Sequence, residues 1–221
     1  MLKKLSRKDH IILTLGRLLS SQDDRSLIVN MITALDDKHG LSAKMKREPA
    51  LEQIIQQLVG RLAKAFGQLS LVQGKRVLDI ACGSNTSKTP SSVCINTPFG
   101  ERRIRVSNTK GYAAQFEPWL CRMLLALGAH PVGIDLGDIE NEEFEHYRVD
   151  LGQIGALDFM PGHSFDAIQD SRLFGSPEFT SKFPKEADRV RVAFEIRQQE
   201  HRLLKPDGIV IHSDAEGLTH H

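Results

Sequence analysis

Residues 77–85, Val-Leu-Asp-Ile-Ala-Cys-Gly-Ser-Asn, contain the strongest local signal in this chain. The run at 76–80 is typical of a buried strand, and it carries the carboxylate of Asp79. Gly83 and small polar residues follow, which predicts a tight turn. A carboxylate accepts hydrogen bonds, and a glycine lets a ligand approach the backbone. The stretch therefore predicts a strand and turn that bind a nucleotide-like ligand, the alternative being an ordinary buried strand with a tight turn.

Beyond residue 75 the pattern alternates between strands and helices. Four further strands are predicted, and a carboxylate closes three of them. These strands span 131–134 before Asp135, 147–149 before Asp150, 164–169 before Asp170, and 209–212 after the turn at 206–208. Helices are predicted at 118–127 and 184–204. Such alternation indicates an open α/β sheet of parallel strands, in which ligands bind at the carboxyl ends of the strands.

Residues before 70 show helical periodicity alone. Three apolar stripes recur every three or four residues, beginning at Ile11, Leu27 and Leu51. Stripes of this kind most often face a core. We assign 1–48 to an N-terminal helical extension and 49–221 to the α/β domain.

Composition bounds the class of protein. The chain has 221 residues, of which 40% are apolar and 26% charged, with a net charge of +1. These values are typical of a globular protein and give no general attraction to nucleic acid. No apolar run is long enough to span a membrane, and no signal peptide is evident. Cys82, Cys94 and Cys121 form neither a zinc pattern nor an even disulfide framework, so we predict a cytoplasmic protein without a metal site.

The order of these features resembles class I S-adenosylmethionine (SAM)-dependent methyltransferases over residues 50–214. Asp79 to Asn85 resembles the family's first motif, although Ala81 and Asn85 stand where the first and third glycines are usual. Gly133-Ile134-Asp135 resembles the second motif, and 201–210 resembles the late motif before strand five. The resemblance implies a Rossmann-like domain that binds SAM. A dinucleotide-dependent dehydrogenase is disfavoured, because the first turn has a single glycine and Asp135 lies far from Asp79.

The resemblance also implies roles for single residues. Asp135 would bind both ribose hydroxyls, and Asp150 with Leu151 would bind the adenine ring. The full implied set of SAM contacts is Asp79, Ala81, Cys82, Gly83, Asp135, Leu136, Asp150, Leu151 and Gln169. Methyl transfer needs alignment more than a side-chain catalyst, so the catalytic residue stays unassigned; Asp170, His163 and His212 are the candidates. Phe116, Trp119 or Phe174 could give an aromatic face to the sulfonium.

Two segments depart from the family's usual plan. Residues 86–117 form an insertion with two β-like runs around a Pro-Phe-Gly turn, which predicts a hairpin. Arg102, Arg103 and Arg105 make it basic, so it is either a wall of the acceptor pocket or a solvated hairpin. The family normally adds an antiparallel strand pair after strand five, and here too few residues follow. The sheet is then short, truncated or completed by another chain, for example in a homodimer.

Three functions remain open at this point. The first is a methyltransferase acting on a small molecule. The second is an RNA- or protein-modifying methyltransferase that uses the basic insertion. The third is a SAM-binding scaffold without transfer activity, which the missing glycines keep open.

Overall fold

The computed structural model describes residues 6–19, 21–86, 92–97, 100–105, 114–170, 173–174 and 177–211. For 92–97 and 100–105 it describes the backbone. Within these ranges no helix is long and apolar enough to cross a membrane.

Four helices precede the first strand: α1 Arg7–Leu18, α2 Gln22–His39, α3 Leu41–Arg47 and α4 Ala50–Phe66. The Ser6 side chain caps α1 by accepting a hydrogen bond from the Asp9 amide. The Asp9 carboxylate accepts a hydrogen bond from the Ser6 amide in turn, which completes a capping box. Gly40 ends α2 in the left-handed conformation and at once begins α3. The predicted helical segment before residue 70 is confirmed, with α3 as one helix more than expected.

The remaining elements are β1 Arg76–Ile80, β2 Ser92–Thr97, β3 Gly100–Arg105, α5 Trp119–Ala126, β4 His130–Asp135, β5 Glu145–Arg148, β6 Phe165–Asp170, α6 Pro177–Lys182, α7 Glu186–Leu203 and β7 Leu204–Ile211. Five strands form one sheet in the order β5-β4-β1-β6-β7, and all neighbours are parallel. This is the order 3-2-1-4-5 of a Rossmann-like sheet. The predicted fold class is confirmed.

The predicted hairpin in the insertion is also confirmed. Strands β2 and β3 pair antiparallel, with Ser92 opposite Arg105 and Thr97 opposite Gly100. The hairpin follows the turn after β1, and β2 runs against α6. Helix α6 itself follows the carboxyl end of β6. The hairpin and α6 therefore lie on the side of the sheet where ligands are expected.

Two hydrophobic clusters cover the two faces of the sheet. One contains Val77 and Ala167 and joins the sheet to α1–α5, so the N-terminal helices share a core with the α/β part. The other contains Leu78 and Ile168 and includes residues of α7 and of the segment between β5 and β6. Alternate residues of a strand face opposite sides, so Asp79 and Gln169 belong to the α5 face and Asp170 to the α7 face.

Strand β7 differs from its predicted form. It begins at Leu204, before the predicted turn, and its pairing skips from Leu204 opposite Phe165 to Ile209 opposite Ala167. The turn residues 206–208 thus form an irregularity inside the strand. The reason is that Leu204 can still pair with β6 before the chain bulges out.

Candidate functional site

The candidate site is the carboxyl edge of the sheet, where the ends of β1, β4, β5 and β6 meet. Asp79 is in register with Gly133 and Gln169, and Asp135 is in register with Arg148. Asp150 lies two residues after β5. The fold therefore brings together residues that are up to ninety positions apart in the chain.

Residues 81–86, here called the β1 turn, are hydrogen-bonded to the end of β4. The Cys82 amide donates to the Ile134 carbonyl at 3.0 Å, and the Gly83 amide donates to Asp135 Oδ2 at 3.0 Å. Ala81 adopts a φ of 60°, the left-handed conformation that glycine favours. The turn expected from the sequence forms with alanine in this conformation.

Gly83 is required by the backbone of a neighbouring segment. Its φ is 102°, and a Cβ at this position would lie 2.0 Å from the carbonyl oxygen of Phe116. The same carbonyl accepts a hydrogen bond from the Ser84 amide at 2.9 Å. The single glycine kept in the motif therefore allows the end of the insertion to pack on the β1 turn.

Asn85 takes the third glycine position without adopting a positive φ. It is not among the non-glycine residues with positive φ, which in the described ranges are Ala81, Asn141 and His163. Its side-chain amide donates to the Glu140 carbonyl at 2.6 Å and to Glu142 Oε1 at 2.9 Å, and its carbonyl accepts from the Glu140 amide. Asparagine replaces the third glycine because its side chain ties the turn to the loop after β4.

Asp135 is held by main-chain donors. Its Oδ1 accepts from the Gly137 amide at 2.7 Å and its Oδ2 from the Gly83 amide. Burial raises the pKa of this carboxyl, although the backbone hydrogen bonds act in the opposite direction. Each carboxylate oxygen can accept more than one hydrogen bond, so the partly exposed Asp135 keeps acceptor capacity for two hydroxyl groups.

Asp150 is held by a side-chain cation. Lys182 of α6 forms an ion pair with its Oδ1, and the Gly152 amide donates to the same oxygen at 3.0 Å. The hydrogen bond from Lys182 lowers the pKa of Asp150. Unlike Asp135, this carboxylate is screened by solvent, because about a third of each side chain in the pair is exposed.

A groove of about 430 Å³ opens beside Asp150. Its lining consists of Tyr147, Arg148, Val149, Asp150, Gln153, Ala156 and Phe159. The rings of Tyr147 and Phe159 meet edge to face at 5.0 Å, and both are partly exposed. An aromatic-lined groove with a carboxylate at one end can bind a flat ring that carries an amino group.

Asp79 and Gln169 are fully buried on the α5 face of the sheet. The Cys121 thiol donates to Asp79 Oδ2 at 3.7 Å. Cys121 and Cys82 are hydrogen-bonded to each other, and burial raises the pKa of both thiols, that of Cys121 to about 11. The structure thus puts Asp79 and Gln169 inside the protein, near the carboxyl ends of β1 and β6.

The three catalytic candidates have three different positions. Asp170 is fully buried at the end of β6 and forms an ion pair with Arg197 of α7 at 2.7 Å. His163 precedes β6 at the opposite, amino edge, where its Nδ1 lies 2.9 Å from the Leu204 carbonyl. His212 lies outside the described residues. The structure therefore does not bring His163 to the site.

Of the remaining predicted contacts, Leu136 is exposed next to Asp135, and Leu151 is partly buried next to Asp150. Trp119 is buried under the guanidinium of Arg122, so it offers no face to a ligand. The guanidinium of Arg197 lies over the ring of Phe174, 5.1 Å from the ring centroid, and Phe174 also contacts Phe179. Within the described residues no group of three potential metal ligands occurs.

A second cleft, of about 310 Å³, adjoins the β1 turn. Its lining is Lys38, His39, Lys44, Asn85, Glu117, Arg122, Glu140, Asn141 and Glu142. Burial and the nearby Arg122 lower the pKa of His39 to about 4, so its imidazole is neutral at pH 7. Apart from Asn85, sequence reasoning missed these residues and also Lys182 and Arg197, because charged residues spread over several elements form no local pattern.

Comparison with known proteins gives a structural likeness but no matching family. No protein-family model matches the chain, and no curated protein matches it. Among solved structures the chain is similar to the crystal structure of the selenomethionine-substituted CurJ carbon methyltransferase, with 15% identity and a TM-score of 0.36. The match covers 92% of this chain and 47% of that one, so the chain spans about half the length of that structure. At this identity and TM-score the likeness carries no argument about activity.

Proposed function

We propose that this protein is a SAM-dependent methyltransferase that acts on a small molecule. The observation that carries the proposal is the convergence of the β1 turn, Asp135 and Asp150 at one edge of the sheet, next to the aromatic groove. These are the positions at which the sequence resembles the family. The motifs that carry the resemblance are far apart along the chain, and their common location supports the proposal.

The chemistry of the residues fits the ligand. Asp135 has acceptor capacity for a pair of ribose hydroxyls, and Asp150 with the Tyr147–Phe159 groove suits an adenine ring with its exocyclic amine. The carboxylates also favour a cationic ligand at this edge. When bound, SAM supplies an activated methyl group with its own leaving group.

The task left to the chain is alignment and shielding. The β1 turn fixes one side of the ligand, while α6 and the hairpin lie on the side from which an acceptor would approach. Holding two reactants in line supplies most of the acceleration in such a displacement. An acceptor with a weakly acidic hydroxyl or amine would also need a base.

A SAM-binding scaffold is the second candidate, and one observation favours it. Each of Asp135, Asp150 and Asp170 already has a protein partner, and His163 lies at the wrong edge to serve as a base.

For the compartment we propose the cytoplasm, because Cys82 and Cys121 are free thiols.

Calorimetry with SAM, and with NAD as the competing ligand, tests ligand class. The proposal predicts saturable binding of SAM and none of NAD. Asp135→Asn should weaken SAM binding by about 1–3 kcal/mol, because a charged acceptor for the ribose is lost. Asp166→Asn is the matched control, since Asp166 pairs with Lys205 at the amino edge and should leave SAM affinity unchanged.

Transfer is tested by incubating the protein with methyl-labelled SAM and pools of small molecules, RNA and protein. Label in a small molecule supports the main proposal, and label in RNA or protein would replace it. SAM binding without labelling of any pool would favour the scaffold. No SAM binding at millimolar ligand would exclude all three.

A further inference from the structure

The N-terminal helices contact the α/β part at one place that bears directly on the β1 turn. Two chains of polar contacts run from α3 to that turn. The charged residues on which they depend belong neither to the motifs nor to the proposed ligand contacts: Lys44, Glu48, Glu117, Arg122 and Glu142. Both chains pass through residues 114–117, the last four residues of the insertion.

The first chain starts at Glu48, which follows the last residue of α3. Its two carboxylate oxygens accept hydrogen bonds from the amides of Ala114 and Gln115, at 3.0 and 3.2 Å. These amides begin a short 3-10 helix, whose first N–H groups have no partner within the helix. The next carbonyl, that of Phe116, accepts from the Ser84 amide of the β1 turn.

The second chain starts at Lys44 on α3. Its ammonium forms an ion pair with Glu117 at 2.6 Å, and Glu117 also pairs with Arg122. Arg122 then forms an ion pair with Glu142 at 2.6 Å, and Glu142 accepts the hydrogen bond from Asn85. The chain therefore ends at the residue that stands in the third glycine position.

Burial makes the second chain rigid. The side chains of Glu117, Arg122 and Glu142 are 0%, 3% and 3% exposed. Two cations and two carboxylates balance, so the group needs no counterion, and removing one member would leave an uncompensated buried charge. Arg122 also stacks over Trp119 at 4.6 Å, which fixes its guanidinium plane.

We propose that α3 positions the β1 turn through these two chains, with Glu48 and Asn85 as positioning residues at their accessible ends. In the family pattern, the conformational freedom of glycine shapes this turn. Here, side chains from other elements hold the turn in place. The N-terminal helices are then part of the ligand site. The inference rests on the proposed function only for its effect on SAM binding, since the hold on the turn exists without ligand.

Hydrogen exchange measured on the ligand-free full chain tests the hold directly. Glu48→Ala and Asn85→Gly should each accelerate exchange in peptides covering 82–86 by about tenfold, because each removes side-chain hydrogen bonds that hold the turn. Glu48→Gln keeps one acceptor oxygen and should give an intermediate value. The control is Glu52→Gln, which alters the Arg7 and His10 contacts elsewhere in the same helices and should leave these peptides unchanged.

The second measurement is SAM affinity at a temperature where circular dichroism shows every variant fully folded. Glu48→Ala and Asn85→Gly should weaken binding by about fivefold or more, and Glu52→Gln by less than about twofold. Unchanged exchange at 82–86 in both variants would overturn the inference, and so would faster exchange with unchanged SAM affinity. If the wild-type chain does not bind SAM, the proposed function fails, while the exchange result still decides whether α3 holds the turn.

Discussion

The two halves of the carboxyl edge hold their carboxylates in opposite ways. On the β1–β4 side, Asp135 is bound by two backbone amides, and the surrounding charges are buried in the Glu117–Arg122–Glu142 group. On the β5–β6 side, Asp150 is bound by the partly exposed ammonium of Lys182. Backbone donors cannot move without unfolding the turn, whereas a lysine side chain can change rotamer. The first half is therefore built into the fold, and the second can rearrange around a ligand.

The largest difference between the halves should appear when their cations are removed. Arg122→Met should lower the free energy of unfolding by about 3–5 kcal/mol, because it removes the cation paired with the buried Glu142 and leaves Glu117 with Lys44 alone. Lys182→Met, the matched change on the other half, should cost less than about 1 kcal/mol, since its pair is solvent-screened. Urea denaturation measures both. Equal losses would remove the distinction between the two halves.

The two halves of the edge should lose their contributions to stability at different pH values. His39 lines the cleft on the β1–β4 side, and its folded-state pKa is about 4 against an ordinary value of 6.5. The unfolded chain takes up this proton first, so stability falls as pH decreases from about 6.5 to 4. After discounting for solvent screening we expect a loss of about 1–2 kcal/mol.

The β5–β6 half should lose its contribution to stability only at lower pH. The pKa of Asp150 is lowered from 3.8, so its contribution is present above that value and is lost only as the pH falls below it. His39→Gln should therefore flatten the stability profile between pH 6.5 and 4 and leave the more acidic part intact. Thermal unfolding at a series of pH values measures this. A profile that keeps its slope in the variant would assign the titration to another group.

The smallest effect concerns the strain in the β1 turn. The left-handed φ of Ala81 strains an alanine, whereas glycine adopts it without strain. Glycine, however, loses more backbone entropy on folding. Ala81→Gly should therefore raise the free energy of unfolding by about 0.5 kcal/mol. The same change at Ala129, which is not among the positive-φ residues, should destabilise instead. Destabilisation by Ala81→Gly would show that the turn gains more from the alanine methyl than it loses in strain.

The sequence indicated the sheet well because strands β1, β4, β5 and β6 are bounded by turn residues and carboxylates. It missed α3 and α6, which have seven and six residues, because one or two turns of helix leave no periodicity to detect. It also placed the turn at 206–208 before β7, while pairing of Leu204 extends the strand past it. Local patterns predict elements, and pairing with a neighbour sets their ends.

The site was predicted less completely than the fold. Strand ends showed where Asp135 and Asp150 would meet, since parallel strands share one edge. Burial of Asp79 and the internal role of Asn85 depend on α5 and on the loop after β4, and no spacing in the sequence reports those contacts. His163 differs from these residues: it precedes β6, so the order along the sequence already places it at the amino edge.

Hydrogen exchange with and without SAM tests the central claim, that the carboxyl edge of this sheet is the ligand site. We predict that SAM slows exchange in peptides covering 79–86, 135–142 and 149–153, and that the change is larger at 149–153 than in the already rigid 79–86. Peptides at the amino edge, 161–165 and 202–205, should be unchanged. Protection confined to the amino edge, or no protection anywhere at saturating SAM, would contradict the account.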